Sequence, residues 1–310
     1  MKGYWRRSFY VFLCVGLLFS LVSCGSDDDS TNTDLLVAFT TNDVGGPGSV
    51  QRYNGTTGAS LGPFASGGGL SEPVHAVFGP DGNLYVCDIG NGAVLRYNGT
   101  TGAFLSTFVS GIDNGVDPMF GFTLGPLGLA FGPDGNLYVS NDFTNNVQRF
   151  NGTTGASLGT FVSAGLDVPT GLVFGPDGNL YVSSFNTNVV QRYSGRTGAS
   201  MGIFAISNEL SGPEQLVFGP DGDLYVASFT SNSVERFKGT TGEPRRTFVT
   251  PGSGGLNGPT GVAFGRDGNL YVSSNASGEV LRYDGTTGAF MNIFVAAGKP
   301  ILPAFLTFTP

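Results

Sequence analysis

The sequence predicts an all-β fold, a six-bladed β-propeller of four-stranded blades whose ring is closed by a composite blade. Three observations predict it. First, the phrase FGPDGNLYV fills residues 174–182, stands unchanged at 78–86 and 131–139, and returns with one substitution each at 218–226 and 264–272. Second, its opening Phe recurs at positions 78, 131, 174, 218 and 264, a spacing of about 44 residues that suits a blade of four short strands. Third, the two ends of the chain hold complementary parts of a sixth copy. Composition agrees: 51 Gly and 26 Phe in 310 residues, with 12% charge and no collagen period, belong to many short strands joined by tight turns.

Each unit reads in the same order. A first strand carries P-x-x-L/V-x-F, as in residues 169–174, and a second carries LYV plus small residues, as in 180–184. Between them Pro176 pre-sets φ, Asp177 tolerates the next turn position and Gly178 takes the positive φ that reverses the chain. Asp-Gly-Asn also occurs in calcium loops, but Leu and Tyr follow at once where further oxygen ligands would be needed. The third strand reads V-x-R-Y/F, as in 190–193; an NGTTG-type turn and a fourth strand, as in 156–162, complete the unit. One Arg recurs in every third strand (52, 96, 149, 192, 236 and 282), a repetition that answers a need of each blade, such as pairing with turn carboxylates or covering a blade edge, rather than forming a binding ring.

The sixth unit is split. Residues 303–308 repeat the first strand, while 35–39, 50–53 and 59–64 repeat the second, third and fourth. The C-terminus is therefore expected to supply the inner strand of a blade whose outer three strands come from the N-terminus, which removes the open edges of a linear array. The domain is residues 34–310.

Residues 1–23 read as a lipoprotein signal peptide: Lys2, Arg6 and Arg7 precede an apolar run over 9–22 that is short for a membrane span. LVSC at 21–24 resembles the bacterial lipobox, which implies lipidation of Cys24. Arg6-Arg7 partly resembles a twin-arginine signal, with general secretion as the other route. Residues 24–33 form an acidic, polar tether. Gly25 is compatible with outer-membrane sorting, and the run 27–29 resembles the surface-export signal of Bacteroidota lipoproteins or serves as a solvated spacer. The expected address is the cell envelope, lipid-anchored at the outer membrane. Loss of 1–23 leaves 12 Lys+Arg against 23 Asp+Glu, net about −11, which argues against nucleic acid. Cys87 is then the one cysteine besides Cys24, so no internal disulfide is expected, and its counterparts (Ser140, Ser183, Ala227, Ser273 and Ala38) give it the role of a small residue beside the core.

FGPDGNLYVCDIGNGAVLRYNGTTG, residues 78–102, closely resembles the NHL repeat, and the likeness covers 34–310. The resemblance implies a propeller; its family includes binding scaffolds, lyases and lactonase-like enzymes, so fold alone does not decide function. His75 is the single His, so the three-His zinc site of NHL-type amidating lyases and the multi-His magnesium site of virginiamycin-lyase-like members have no counterpart here.

Internal comparison separates scaffold from site. GPDGN and NGTTG turns, nearly identical between units, lie at one end of the blades; the second-to-third and fourth-to-first connections differ and are expected to form the binding face. Three residues before the strand-closing Phe stands Gly128, Gly171 or Gly261, but His75 in the first unit, Gln215 in the fourth and Phe305 in the split one. Units one and four oppose each other in a ring of six, which aims His75 and Gln215, with Glu214, across the channel mouth. Asp88, Asn141 and Asp142 lie in nearby loops, and the long connection 110–125 carries Phe120 and Phe122 as a sugar or peptide contact or as a channel plug.

The expected function is an envelope-anchored, monomeric binding propeller that recognises a protein, peptide or glycan and needs no cofactor. The alternative is a lactonase-like hydrolase or lyase using calcium or magnesium, with Asp88, Asn141 and Glu214 as hard oxygen ligands and His75 as acid/base.

Overall fold

The computed structural model describes residues 33–41, 48–118, 121, 123–296 and 301–310. The signal segment, Cys24 and the tether up to residue 32, and Met119, Phe120 and Phe122 lie outside the described residues, while Thr33 is described and buried. Among the described residues the one helical turn is Ser253–Gly255, and everything else regular is strand.

Six antiparallel sheets form the body. Blade 1 holds Pro73–Phe78, Leu84–Asp88, Ala93–Tyr97 and Phe104–Val109, and blades 2, 3 and 5 repeat this order from Pro126, Pro169 and Pro259. In blade 4, Pro213–Phe218, Leu224–Ser228 and Ser233–Phe237 form a ladder, while the outer segment keeps the isolated pairs Val234–Val249 and Phe237–Pro244. Pro244 has no N–H to donate, so the ladder cannot propagate there. Blade 6 is composite: Ile301–Phe308 pairs with Leu35–Thr41, followed by Ser49–Tyr53 and Ser60–Ala65. The innermost strands touch their neighbours in the cyclic order of blades 1 to 6 and back to 1, which closes the ring.

The recurring phrase explains both the turn and the packing behind it. In blade 1, Gly82 takes φ 73°, Gly79 N–H bonds Asn83 O at 2.8 Å, and Asp81 accepts the Asn83 backbone and side-chain N–H groups. Tyr85 Oη donates to the same Asp81 carboxylate at 3.0 Å, and the tie recurs as Tyr138–Asp134, Tyr181–Asp177, Tyr225–Asp221 and Tyr271–Asp267. These donors hold Asp81, Asp134 and Asp177 below the usual carboxylate range despite the opposing cost of burial. Each Tyr ring also meets two Phe edges, as Tyr181 does with Phe204 at 4.6 Å and Phe218 at 5.2 Å. Phe218 belongs to the next blade, so one residue knits turn, blade and interface together.

All six repeated Arg answer the same structural need. Arg52, Arg96, Arg149, Arg192, Arg236 and Arg282 lie over the rings of Phe64, Phe108, Phe161, Phe204, Phe248 and Phe294 at 5.3–6.0 Å, a cation–π contact worth about 0.5–1 kcal/mol near solvent. Several add carboxylates, among them Arg52 with Asp34 at 2.5 Å and Arg236 with Asp221 at 2.6 Å and Asp223 at 2.8 Å. Cys87 is buried, and its thiol donates to Pro126 O at 3.1 Å in the next blade; burial pushes its pKa up.

Blades 2 to 5 are latched at the other end. Asn145, Asn188 and Asn232 sit in left-handed backbone, and each accepts through its side chain the N–H of the residue before the next blade's Pro. That residue is Gly212 or Gly258 at φ 62–63°, but Val168 at φ 53° in blade 3. A β-branched side chain there is strained by about 1–3 kcal/mol. Val168→Asn is expected to raise stability by about 1 kcal/mol, read from the urea midpoint; an unchanged or lower midpoint would show that packing of the Val side chain outweighs the strain.

Candidate functional site

The three first strands that lack the small residue meet in the channel. His75 is 4% exposed, and its ring lies edge-on to Phe305 with centroids 4.6 Å apart. His75 Nδ1 accepts the Leu129 N–H at 2.9 Å. Gln215 reaches from the opposite blade: Oε1 accepts Val262 N–H at 2.9 Å and Leu306 N–H at 3.3 Å, while Nε2 donates to Leu306 O at 3.3 Å and lies 3.5 Å from His75 Nε2. Gly128, Gly171 and Gly261 make this possible. A Cβ on Gly171 would come within 2.7 Å of Gln215 Cα and Glu214 O, and one on Gly128 within 2.5 Å of Thr170 O. His75, Gln215 and Phe305 thus cross the channel and bind the inner strands to one another. Burial pushes the His75 pKa down to about 3, so the ring is neutral at physiological pH.

Of the acidic and amide candidates expected in loops, Asp88 and Asn141 are instead the last residues of second strands, Leu84–Asp88 and Leu137–Asn141, at the variable end, and Asp142 follows directly. Asp88 is fully buried and accepts the N–H groups of Ser71 and Glu72 and the Asn91 amide. Asn141, also fully buried, donates to Asp113 O at 2.7 Å and accepts the N–H groups of Phe143 and Thr144. Asp142 accepts Gly125 N–H at 2.6 Å. Asn141 and Asp142 therefore organise the connection between blades 1 and 2, and Asp88 the connection from blade 6 into blade 1. Among the described residues no group of three or more His, Cys, Asp and Glu is placed to hold a metal ion.

Two carboxyls are electrostatically unusual. Glu214 retains some accessibility, yet burial pushes its pKa up to about 8, and the Asp142 charge adds to the rise. Burial likewise lifts Asp142 to about 6 against the backbone N–H groups that oppose it. The folded state therefore holds a proton on Glu214 that the unfolded chain releases above about pH 4.5, and stability falls as pH climbs from there through 8. Glu214→Gln is expected to melt about 2–4 °C or more above the wild type at pH 9, with the gain vanishing near pH 4; a pH-independent difference in thermal melts would remove the buried-acid account.

Two exposed residues that the sequence did not single out, Val116 and Phe143, stand on the surface above these loops. Gly115–Val116 pairs with Thr123–Leu124 as a small hairpin between blades 1 and 2. It is ordered by Asn114, which donates to Ile89 O and Gly90 O, and by Asn141 through Asp113. The Phe143 ring lies against Gly115, where a Cβ would sit 2.6 Å from it. Val116 and Phe143 remain 63% and 46% exposed. The hairpin's two-residue strands are too short for any periodic signal; the length of the 110–125 connection was the available clue.

No family model and no curated protein matches the sequence. Solved structures do. A chain in the crystal structure of a nidogen/laminin complex aligns with TM-score 0.71 at 19% identity, covering 90% of this chain and 98% of that one. A Bacteroides caccae protein of unknown function aligns with TM-score 0.64 at 14% identity, covering 89% and 99%. The fold is a six-bladed β-propeller. A catalytically inactive variant of virginiamycin B lyase from Staphylococcus aureus with quinupristin shares this propeller at TM-score 0.61 and 17% identity, covering 89% and 96%. The propeller thus occurs in a protein–protein complex and in a lyase.

Proposed function

We propose that this chain is an envelope-anchored binding propeller, tethered through lipidated Cys24, that recognises a protein, peptide or glycan on its variable-loop face. The observation that carries the reading is the hairpin between blades 1 and 2. A ring of near-identical blades does not need it, yet buried Asn and Asp side chains hold it in place and it presents Val116 beside Phe143 to solvent. Ordered apolar groups rimmed by polar loops are the usual form of a recognition surface. The occurrence of the same fold in a nidogen/laminin complex supports protein binding in general.

The test is a photo-cross-linking amino acid placed at Val116 in cells, with the same group at exposed Thr153 on the opposite end as control. A discrete adduct at Val116 that Phe143→Ser weakens is the expected result. Equal labelling at both positions, or none at Val116, would reject the surface.

The lactonase-like alternative draws on Glu214, whose raised pKa is that of a general acid near neutrality. Calcium- or magnesium-dependent stabilisation together with lactone turnover, both lost in Glu214→Gln, would replace the binding reading with that one.

A further inference from the structure

We propose that the opposite end of the channel, bordered by the repeated GPDGN turns, is a binding site for a small neutral apolar molecule bearing one acceptor oxygen, a ketone or ester carbonyl, held by the N–H groups of His75 and Gln215. This site lies away from the variable-loop face and does not rest on the binding function proposed for that face.

The inference starts from hydrogen placement. The Leu129 N–H at 2.9 Å requires His75 Nδ1 to be an acceptor, so in the neutral ring the proton is on Nε2. Gln215 Oε1 accepts two backbone N–H groups, which fixes its amide orientation and turns the NH₂ toward His75. The 3.5 Å contact between His75 Nε2 and Gln215 Nε2 therefore brings two donors together and is not a hydrogen bond. Gln215 retains Leu306 O as an acceptor; among the described residues no acceptor faces the His75 Nε2–H. A buried donor left so costs about 1–3 kcal/mol, and an acceptor atom recovers it.

The second observation is the space these groups face. His75 and Gln215 line a cavity of about 410 Å³, within the ~300–1,000 Å³ range of small-molecule sites. Its walls are the next channel-facing position of the inner strands, Val77, Ala130, Val173, Val217, Ala263 and Thr307. No Asp, Glu, Lys or Arg lines it, so a charged occupant would lose its hydration without compensation. An apolar body with a single acceptor satisfies both wall and donors.

His75 is the only His, so ¹⁵N-histidine labelling of the full chain reports one imidazole. Acetophenone is titrated against cumene, which has the same shape but no acceptor. The expected result is an Nε2–H tautomer whose proton shifts downfield and saturates with acetophenone, with binding about tenfold or more tighter than cumene's. Gln215→Glu keeps the acceptor for the two backbone N–H groups but turns an oxygen toward His75, and is expected to abolish binding. Ala263→Leu fills the cavity without touching the polar pair and is expected to do the same. An Nδ1–H tautomer, no saturable shift with acetophenone, equal affinity for cumene, or binding that survives both substitutions would overturn the site. Phe143→Ser leaves this binding unchanged, so failure here is distinguishable from failure of the surface at Val116.

Discussion

A chain ending at residue 296 is expected to lose its native fold. The deletion removes Ile301–Phe308, the inner strand of the composite blade, and with it the backbone ladder to Leu35, Leu36 and Val37. Phe305 and Leu306 are nearly fully buried, and the Phe308 ring meets Tyr271 at 5.1 Å. Their lost burial is worth roughly 5–8 kcal/mol, comparable with a domain's whole stability of about 5–15 kcal/mol. Blades 5 and 1 would also face each other across a gap, and Leu35–Thr41 would become an open edge. Near-UV circular dichroism and a thermal melt decide the matter: a cooperative transition within a few degrees of the wild type would show that the ring does not depend on this closure.

Gln215→Leu is expected to cost about 2–5 kcal/mol. Leucine fills the volume but leaves the Val262 and Leu306 N–H groups buried without an acceptor, at about 1–3 kcal/mol each. The urea midpoint should drop with the slope unchanged. Gln215→Glu, which retains an acceptor for both, should retain most of the stability at about pH 4, where its carboxyl is protonated and adds no unpaired charge to the channel. Equal losses in the two variants would mean that side-chain volume, and not the pair of hydrogen bonds, holds the inner strands.

Most of the fold was legible because a repeated phrase is a local signal copied many times. The pattern Phe-Gly-Pro-Asp-Gly-Asn-Leu-Tyr-Val carries turn chemistry, strand period and core residues within nine positions, and the split copy at 303–308 and 35–64 dictates the closure. The crossing of His75 and Gln215 was legible for the same reason. Both depart from Gly at one repeat position, and a six-fold ring makes units one and four opposite. What they do there was not legible, since their partners are backbone N–H groups of Leu129, Val262 and Leu306, which no residue identity announces. Asp88 and Asn141 illustrate the limit from the other side. A carboxylate or amide at a strand end reads as a ligand donor, and the neighbouring amides that engage both here are not legible from residue identity. The lining of the cavity below the His75–Gln215 pair obeys strand alternation, since 75 and 77 or 261 and 263 share a face, but the near-uniform turns carry no signal that marks that end.

The closure also changes how the molecule comes apart. A linear stack of repeats has two terminal units with one neighbour each, and those units fray first unless capped. A ring has no terminal unit: each blade here has a neighbour on both sides, including the one assembled from the two ends of the chain. Unfolding must therefore break two interfaces before any blade is released, while refolding gains the last interface only when the final strand docks. The composite blade thus acts as a latch on cooperativity, and converts a sum of modest neighbour contacts into a single all-or-none event.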